Sequence, residues 1–517
     1  ISDYRVVEKG GDFGGTWYWN RYPGAMCDTA SMIYMPLLEE THYMPKEKYA
    51  RAPEILEHCQ RIANQYDLYQ KALFHTCVTS LSWQEEAKVW RVETDRGDTF
   101  TTQFVITGTG PLHLPKLPGI AGIESFEGHA FHTSRWDYQY TGGDAAGAQM
   151  EKLADKKVAL IGTGATSVQC VPPLARACDT LYVCQRTPSS VDVRSNKPIN
   201  SEWYKDATAE PGWQQRWMEN FTQNMTGASD GTDLIRDGWT DLARNFLKKL
   251  MEMPPELHSD PIKMLEAYED SDFEKMEEIR ARVDTVVSDP EIAGKLKAWY
   301  RQLCKRPCFH DEYLQSFNLP STQLLDTDGK GVERITANGI VVQGVEYPVD
   351  CIIFATGFEI GTELIDRAGF ETTGRNGVTL SEHWEGGMRS LHGINVHHFP
   401  NKFRVQPTQG ANFIANVPHN IVESAKTIAL TIKYTIDNGF SSVEAELTAE
   451  NAWLDLLSAT PQTLADPSCT PGYYNNEGQP LPEEAKAYVG HPGGAMAYFK
   501  YIDEWRENGK FEGLTFS

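Results

Sequence analysis

The spacing of apolar and polar residues changes several times along the chain, and each change marks a new element. VVEKGGDFGGTWYW, residues 6–19, begins as a short apolar strand and passes into a loop of glycines and tryptophans. Helical spacing follows from about Pro45 to Gln70, and then come FHTCVTSLSW, VWRVETDRG and TFTTQFVITGTG. The middle segment alternates as a half-exposed strand does, and the last ends in glycines, as a buried strand does beneath a ligand. Beyond the connector PLHLPKLPGIAG, the run KKVALIGTGATSVQCVPPLARACDTLYVCQRTPSS reads strand, glycine turn, helix, strand. That is a βαβ unit. From about 200 to 300 apolar residues recur at helical spacing among charges, which predicts a helical insertion. Strands return in VERITANGIVVQGVEYPVDCIIFATGFE, and a mixed helical tail runs to Ser517.

Composition narrows the class. A chain of 517 residues holds two or three domains, and 48 basic against 71 acidic residues argue against nucleic acid or an anionic membrane as a partner. The ten cysteines form no CxxC pair, so free thiols in a reducing compartment are expected. No apolar run approaches the ~20 residues that span a bilayer. The expectation is a cytoplasmic protein without a metal site, monomeric or a small homo-oligomer.

The glycine turns carry the chemistry. In Gly162, Thr163, Gly164, Ala165, Thr166, Ser167 the first glycine permits a tight turn and the second lets the backbone approach a pyrophosphate; Ser167 takes the third, packing-sensitive position. A plain strand-to-helix turn is the alternative. Where NAD sites place an acidic residue after the next strand, this chain has Arg186 and Thr187, which suits the 2′-phosphate of NADP unless Arg186 is a simple surface charge. Glu8 closes a strand and is the residue type that accepts hydrogen bonds from an unphosphorylated ribose, pointing to FAD. Gly14, Gly15, Thr16 and Trp17 then offer close backbone approach and a flat apolar wall. Asp28 hydrogen-bonds near a flavin, orients another side chain, or caps a turn.

Two longer segments resemble a known family. FEGHAFHTSRWD, residues 126–137, fits the pattern FxGxxxHxxxW[PD] of Baeyer–Villiger monooxygenases, and GGTWYWNRYPGAMCD, residues 14–28, fits GGxWxxxRYPGxxxD. With GTGATS, QRT, CKRP and FATGF, the resemblance covers nearly the whole chain. It implies insertion of one oxygen beside a ketone carbonyl through a C4a-peroxyflavin, using NADPH, O2 and FAD, to give an ester or lactone. By the same resemblance Arg306 is the catalytic arginine, Asp28 positions it, and Lys305 helps to hold the NADP 2′-phosphate. Tyr34, Val78 and the segment from Thr16 to Trp19 match flavin contacts. His132, on the connector, is expected to couple the domains structurally in preference to moving a proton. The chain departs from the family at SCTPGYYNNEG, where Cys469 stands for a tryptophan, and at FNLP, residues 317–320, where FNRD is usual.

The expected fold is α/β with two Rossmann-like dinucleotide-binding domains, FAD-type and NADP-type. Residues 1–145 form the first part of the FAD domain, 146–349 the NADP domain with its helical insertion, and 350–517 the rest of the FAD domain with the C-terminal substrate and cofactor loops. The first FAD strand and its GxGxxG are expected to be missing from the sequence, which would leave two half-sheets with open edges. Competing readings are an N- or S-oxygenating flavin monooxygenase, and a flavin-deficient nucleotide-binding relative without catalysis.

Overall fold

The structure, a computed structural model, describes residues 2–226, 229, 231–258, 260–359, 369–405, 408–411, 416–459, 469–472 and 489–517. A five-stranded, wholly parallel sheet runs in the order Thr322–Asp326, Thr180–Gln185, Lys157–Ile161, Cys351–Phe354, His129–His132. Successive side chains of a strand point to opposite faces. Val158 and Leu160 therefore pack beneath the helix Ala165–Ala177 with Val168, Val171 and Leu174. Ala159 and Ile161 face the other way, against Ile335, Ile340 and Val342 of a three-stranded meander. Cover on both faces explains the unbroken apolar run VALI, residues 158–161.

This sheet redraws the expected domain limits. Cys351–Phe354 pairs with Lys157–Ile161 on one side and His129–His132 on the other, so it and the edge strand His129–His132 join the sheet of the NADP-type unit. Boundaries at 145/146 and 349/350 cut through it. The reason is that parallel pairing follows crossover connections and ignores the order in which motifs appear along the chain.

On the FAD side, among the described residues, strands pair in parallel at three places: Val6–Val7 with Ala72–Leu73, Lys402–Arg404 with Val105–Thr107, and Glu371–Thr373 with Val78–Gln84 at the edge of a four-stranded sheet. Ile106 is 54% exposed in its strand. The insertion is helical, with Ser201–Ala207, Trp213–Met225, Asp241–Glu252, Pro261–Val286 and Pro290–Leu296. Met218 and Phe221 of its second helix bury against Met26, Ala30, Ile33 and Tyr49, and so roof the loop that ends in Asp28.

The cysteine expectation is corrected. Cys304 and Cys469 form a disulfide across 165 residues, with Cα atoms 5.2 Å apart, while the other eight cysteines are free. Spacing along the sequence carried no sign of a pair made by tertiary contact. No helix among the described residues is long and apolar enough to cross a membrane.

Candidate active site

The segment after the first glycines folds over the NADP-type unit. Gly24 holds φ +82°, and a Cβ there would come within 2.4 Å of the Gln169 carbonyl oxygen, so RYPG needs its glycine both for backbone conformation and for contact. Gln169, on the helix that follows GTGATS, accepts from the Tyr22 hydroxyl at 2.9 Å and donates to the Met26 carbonyl at 2.8 Å. Asp28 is thereby held two residues beyond a clasp between the two units.

Asp28 meets Arg306 across 278 residues. Nη2 donates to Oδ1 at 2.6 Å and Nη1 to Oδ2 at 2.9 Å, a two-pronged pair in which the carboxylate is buried and the guanidinium side chain is 30% exposed. Burial alone would raise the Asp28 pKa; the Arg306 charge and its hydrogen bonds, with Arg194 nearby, hold it below the usual carboxylate range. The Arg306 guanidinium also lies 5.4 Å from the centre of the Trp239 ring, whose Nε1 donates to the Asp28 carbonyl at 2.8 Å. The result is one fixed positive charge, partly open, whose counter-ion is enclosed. Trp239 comes from the helical insertion, and no sequence signal marked it.

The glycine turn and its partners also come together. Gly162 has φ +111°, and a Cβ there would come within 2.5 Å of the Ala355 carbonyl oxygen, so the ends of Lys157–Ile161 and Cys351–Phe354 touch only through a glycine. Thr163 Oγ1 donates to the Thr187 carbonyl at 2.7 Å, placing the turn against the Arg186–Thr187 strand end. Ala165, Thr166 and Ser167 open the helix Ala165–Ala177, with Gly164 at its N-cap and Ser167 fully buried. Arg186 is exposed at the rim. Lys305 donates to the Pro471 carbonyl at 2.5 Å and lies 5.7 Å from the Tyr300 ring; the Tyr300 hydroxyl donates to the Pro188 carbonyl. Of SCTPGYYNNEG only Cys469 to Gly472 fall within the described residues.

No protein-family model matches the chain. Curated sequences do match along its length. It is 47% identical to the Baeyer-Villiger monooxygenase ATR8 of Stachybotrys chlorohalonatus, over all of this chain and 82% of that relative. It is 48% identical to neopentalenolactone D synthase of Streptomyces avermitilis, over 97% of this chain and 84% of the relative. The chain belongs to the Baeyer–Villiger monooxygenases. Its fold matches the polycyclic ketone monooxygenase of Thermothelomyces thermophila with a TM-score of 0.90 at 38% identity, covering 100% of this chain and 85% of that one. The monooxygenase OTEMO, solved with FAD and NADP, matches with a TM-score of 0.78 at 27% identity, covering 99% and 94%. FAD and NADP(H) are the cofactors of this monooxygenase.

The residues of the monooxygenase fit both groups. A Cβ added at Gly15, Gly108, Gly110, Gly164 or Gly357 would meet no atom within 4 Å, so these turns border open space. Glu8 sits at the end of Val6–Val7, and its Oε1 accepts from the Gly10 amide at 2.6 Å. Trp17, from the short helix Thr16–Trp19, donates through Nε1 to the Tyr34 hydroxyl at 3.1 Å, and Arg135 lies 4.2 Å from the Trp19 ring. Val78 is half-buried at the start of Val78–Gln84. The fingerprint histidine, His132, is buried, its Nδ1 is 2.8 Å from Ser134 Oγ, and its ring meets Phe358 edge-on. Burial pushes its pKa down to about 4, so it is neutral near pH 7.

Proposed function

We propose that Arg306 is the group around which this monooxygenase runs its oxygenation, with Asp28 positioning it. The observation that carries the reading is the two-pronged Asp28–Arg306 pair beneath Trp239. Inserting oxygen beside a ketone carbonyl develops negative charge on oxygen, and a cation fixed in advance in a poorly hydrated site stabilises it without reorganising. Arginine stays protonated in such surroundings, whereas a lysine would lose its proton more readily. The enclosed Asp28 stops the guanidinium from swinging away.

The flavin, when bound, supplies the activation of O2. Glu8 takes its ribose, and Gly15, Thr16, Trp17, Trp19, Tyr34 and Val78 line it. Gly162 to Ser167 receive the NADP pyrophosphate at a helix N-terminus, and Arg186, Thr187 and Lys305 meet the 2′-phosphate. The FAD-type unit takes 1–128 and the tail, while the strands at 129–132 and 351–354 belong to the NADP-type unit; this division follows the strand pairing. The likeness to a polycyclic ketone monooxygenase favours a fused-ring ketone giving a lactone. A monomer or small homo-oligomer completes the reading.

The test is Arg306→Ala in the FAD-loaded enzyme. Lactone formation is expected to fall by about 100-fold or more, while reduction of the flavin by NADPH stays measurable by its absorbance. Lactone formation at the parent rate would refute the assignment.

A further inference from the structure

Arg194 stands two residues beyond the short strand Val191–Asp192, which pairs in parallel with Cys308–Phe309, itself two residues beyond Arg306. The two arginines thus flank one short parallel pair at its opposite ends, Arg306 before it and Arg194 after it. The backbone around Arg194 is firmly held: Asp311 accepts from the amides of Arg194 at 3.0 Å, Ser195 at 2.9 Å and Asn196 at 3.3 Å. Its side chain is not. Arg194 is 5% exposed, yet its Nε and Nη2 have no hydrogen-bond acceptor among the described residues. Its charge is felt by Asp28, Tyr49, Cys308, His310 and Asp311, so the guanidinium lies within electrostatic range of the Asp28–Arg306 pair.

A guanidinium keeps its charge at any working pH, and a buried charge without an acceptor opposes folding. Such a group is retained where a ligand supplies the acceptor, since a site built to hydrogen-bond a ligand atom discriminates sharply for it. Asp311 feels the Arg194 charge but accepts only backbone amides, so Nε and Nη2 stay without an acceptor among the described residues.

We propose that Arg194 is a second ligand-binding arginine of the active site, which takes a carbonyl or carboxylate oxygen presented over the Asp28–Arg306 pair. Two molecules carry that chemistry there: the carboxamide of the nicotinamide, and the ketone substrate with any carboxylate it bears. The inference rests on the assignment of Arg306 above. Arg306 meets its counter-ion within the protein and leaves part of its guanidinium open; Arg194 leaves two nitrogens to be met by what binds.

The test compares Arg194→Gln, Arg194→Lys and Arg194→Met in FAD-loaded enzyme. NADP+ affinity is read by equilibrium titration of the flavin spectrum, and KM is read for cyclic ketones with and without a carboxylate. Loss of a hydrogen bond to a charged group is expected to weaken one of these by about tenfold or more, with partial recovery in Arg194→Lys. A shift in NADP+ affinity identifies the carboxamide; a shift in ketone KM at unchanged NADP+ affinity identifies the substrate. In the absence of NADP+ and ketone, Arg194→Met is expected to melt at or above the parent temperature, because it removes buried donors that have no acceptor. Both constants within about twofold of the parent would overturn the proposal. So would melting well below the parent with both constants unchanged, or failure of all three variants to fold, since each marks a purely structural arginine. Lactone formation retained in Arg306→Ala would instead overturn the assignment of Arg306, and the NADP+ titration would still report on Arg194.

Discussion

Residues at the core of this monooxygenase do their work through enclosure. Asp28 is held ionised: Arg306 offsets a burial that would otherwise raise its pKa. In Asp28→Asn the second prong of the pair loses its charge, and lactone formation is expected to fall by roughly 100-fold while NADPH still reduces the flavin. Product formation within about twofold of the parent would show that Arg306 needs no partner. Histidines show the opposite use of enclosure. Burial, the largest cause in each, pushes His132, His310 and His419 down to about 4 and His392 to about 3, against 6.5 for an exposed imidazole. In the window between these folded values and 6.5 the unfolded chain binds more protons than the folded one, so stability falls as pH falls through it. Melting temperature should therefore drop steadily between pH 6.5 and 4.5, and His392→Gln should make that slope shallower. An unchanged slope in the variant would mean that His392 takes no part.

At the scale of elements, the insertion is an arm that reaches into the site. Lys275, on Pro261–Val286, is 2% exposed and donates to Asp241 at 3.0 Å; it lies 2.7 Å from Asp192, on the strand that leads to Arg194. Removing one partner of a buried pair leaves the other uncompensated, so Lys275→Met should cost about 3–5 kcal/mol, measured by chemical denaturation of the FAD-loaded enzyme. A cost under about 1 kcal/mol would show the pair to behave like a surface one. Period and glycine turns made these elements legible. The strand before GTGATS, the helix after it and the helical insertion lie where their spacing places them, because apolar periodicity reports local geometry directly. Membership of a sheet was not legible. Cys351–Phe354 and His129–His132 read as FAD-side strands, and their pairing with Lys157–Ile161 depends on crossovers that the strands themselves do not encode.

Over the whole molecule, covalent and polar ties join segments far apart in sequence. Cys304 lies next to Lys305 and Arg306, so its disulfide to Cys469 fastens the C-terminal segment to the part of the chain that presents the arginine. Ten cysteines less one pair leave eight thiols, and a thiol reagent should count eight in the denatured protein and ten after a dithiol reductant. Ten before reduction would exclude the bridge. By itself the sequence determined the family, the two cofactors and the identity of the residues in each motif, because glycine turns and short patterns encode chemistry locally. Tertiary structure alone decided that Trp239 covers the Asp28–Arg306 pair, that Cys304 finds Cys469, and that Arg194 stands buried beside them. Each of these joins positions that no spacing relates, and only packing of the insertion, the strand ends and the C-terminal segment brings them within contact.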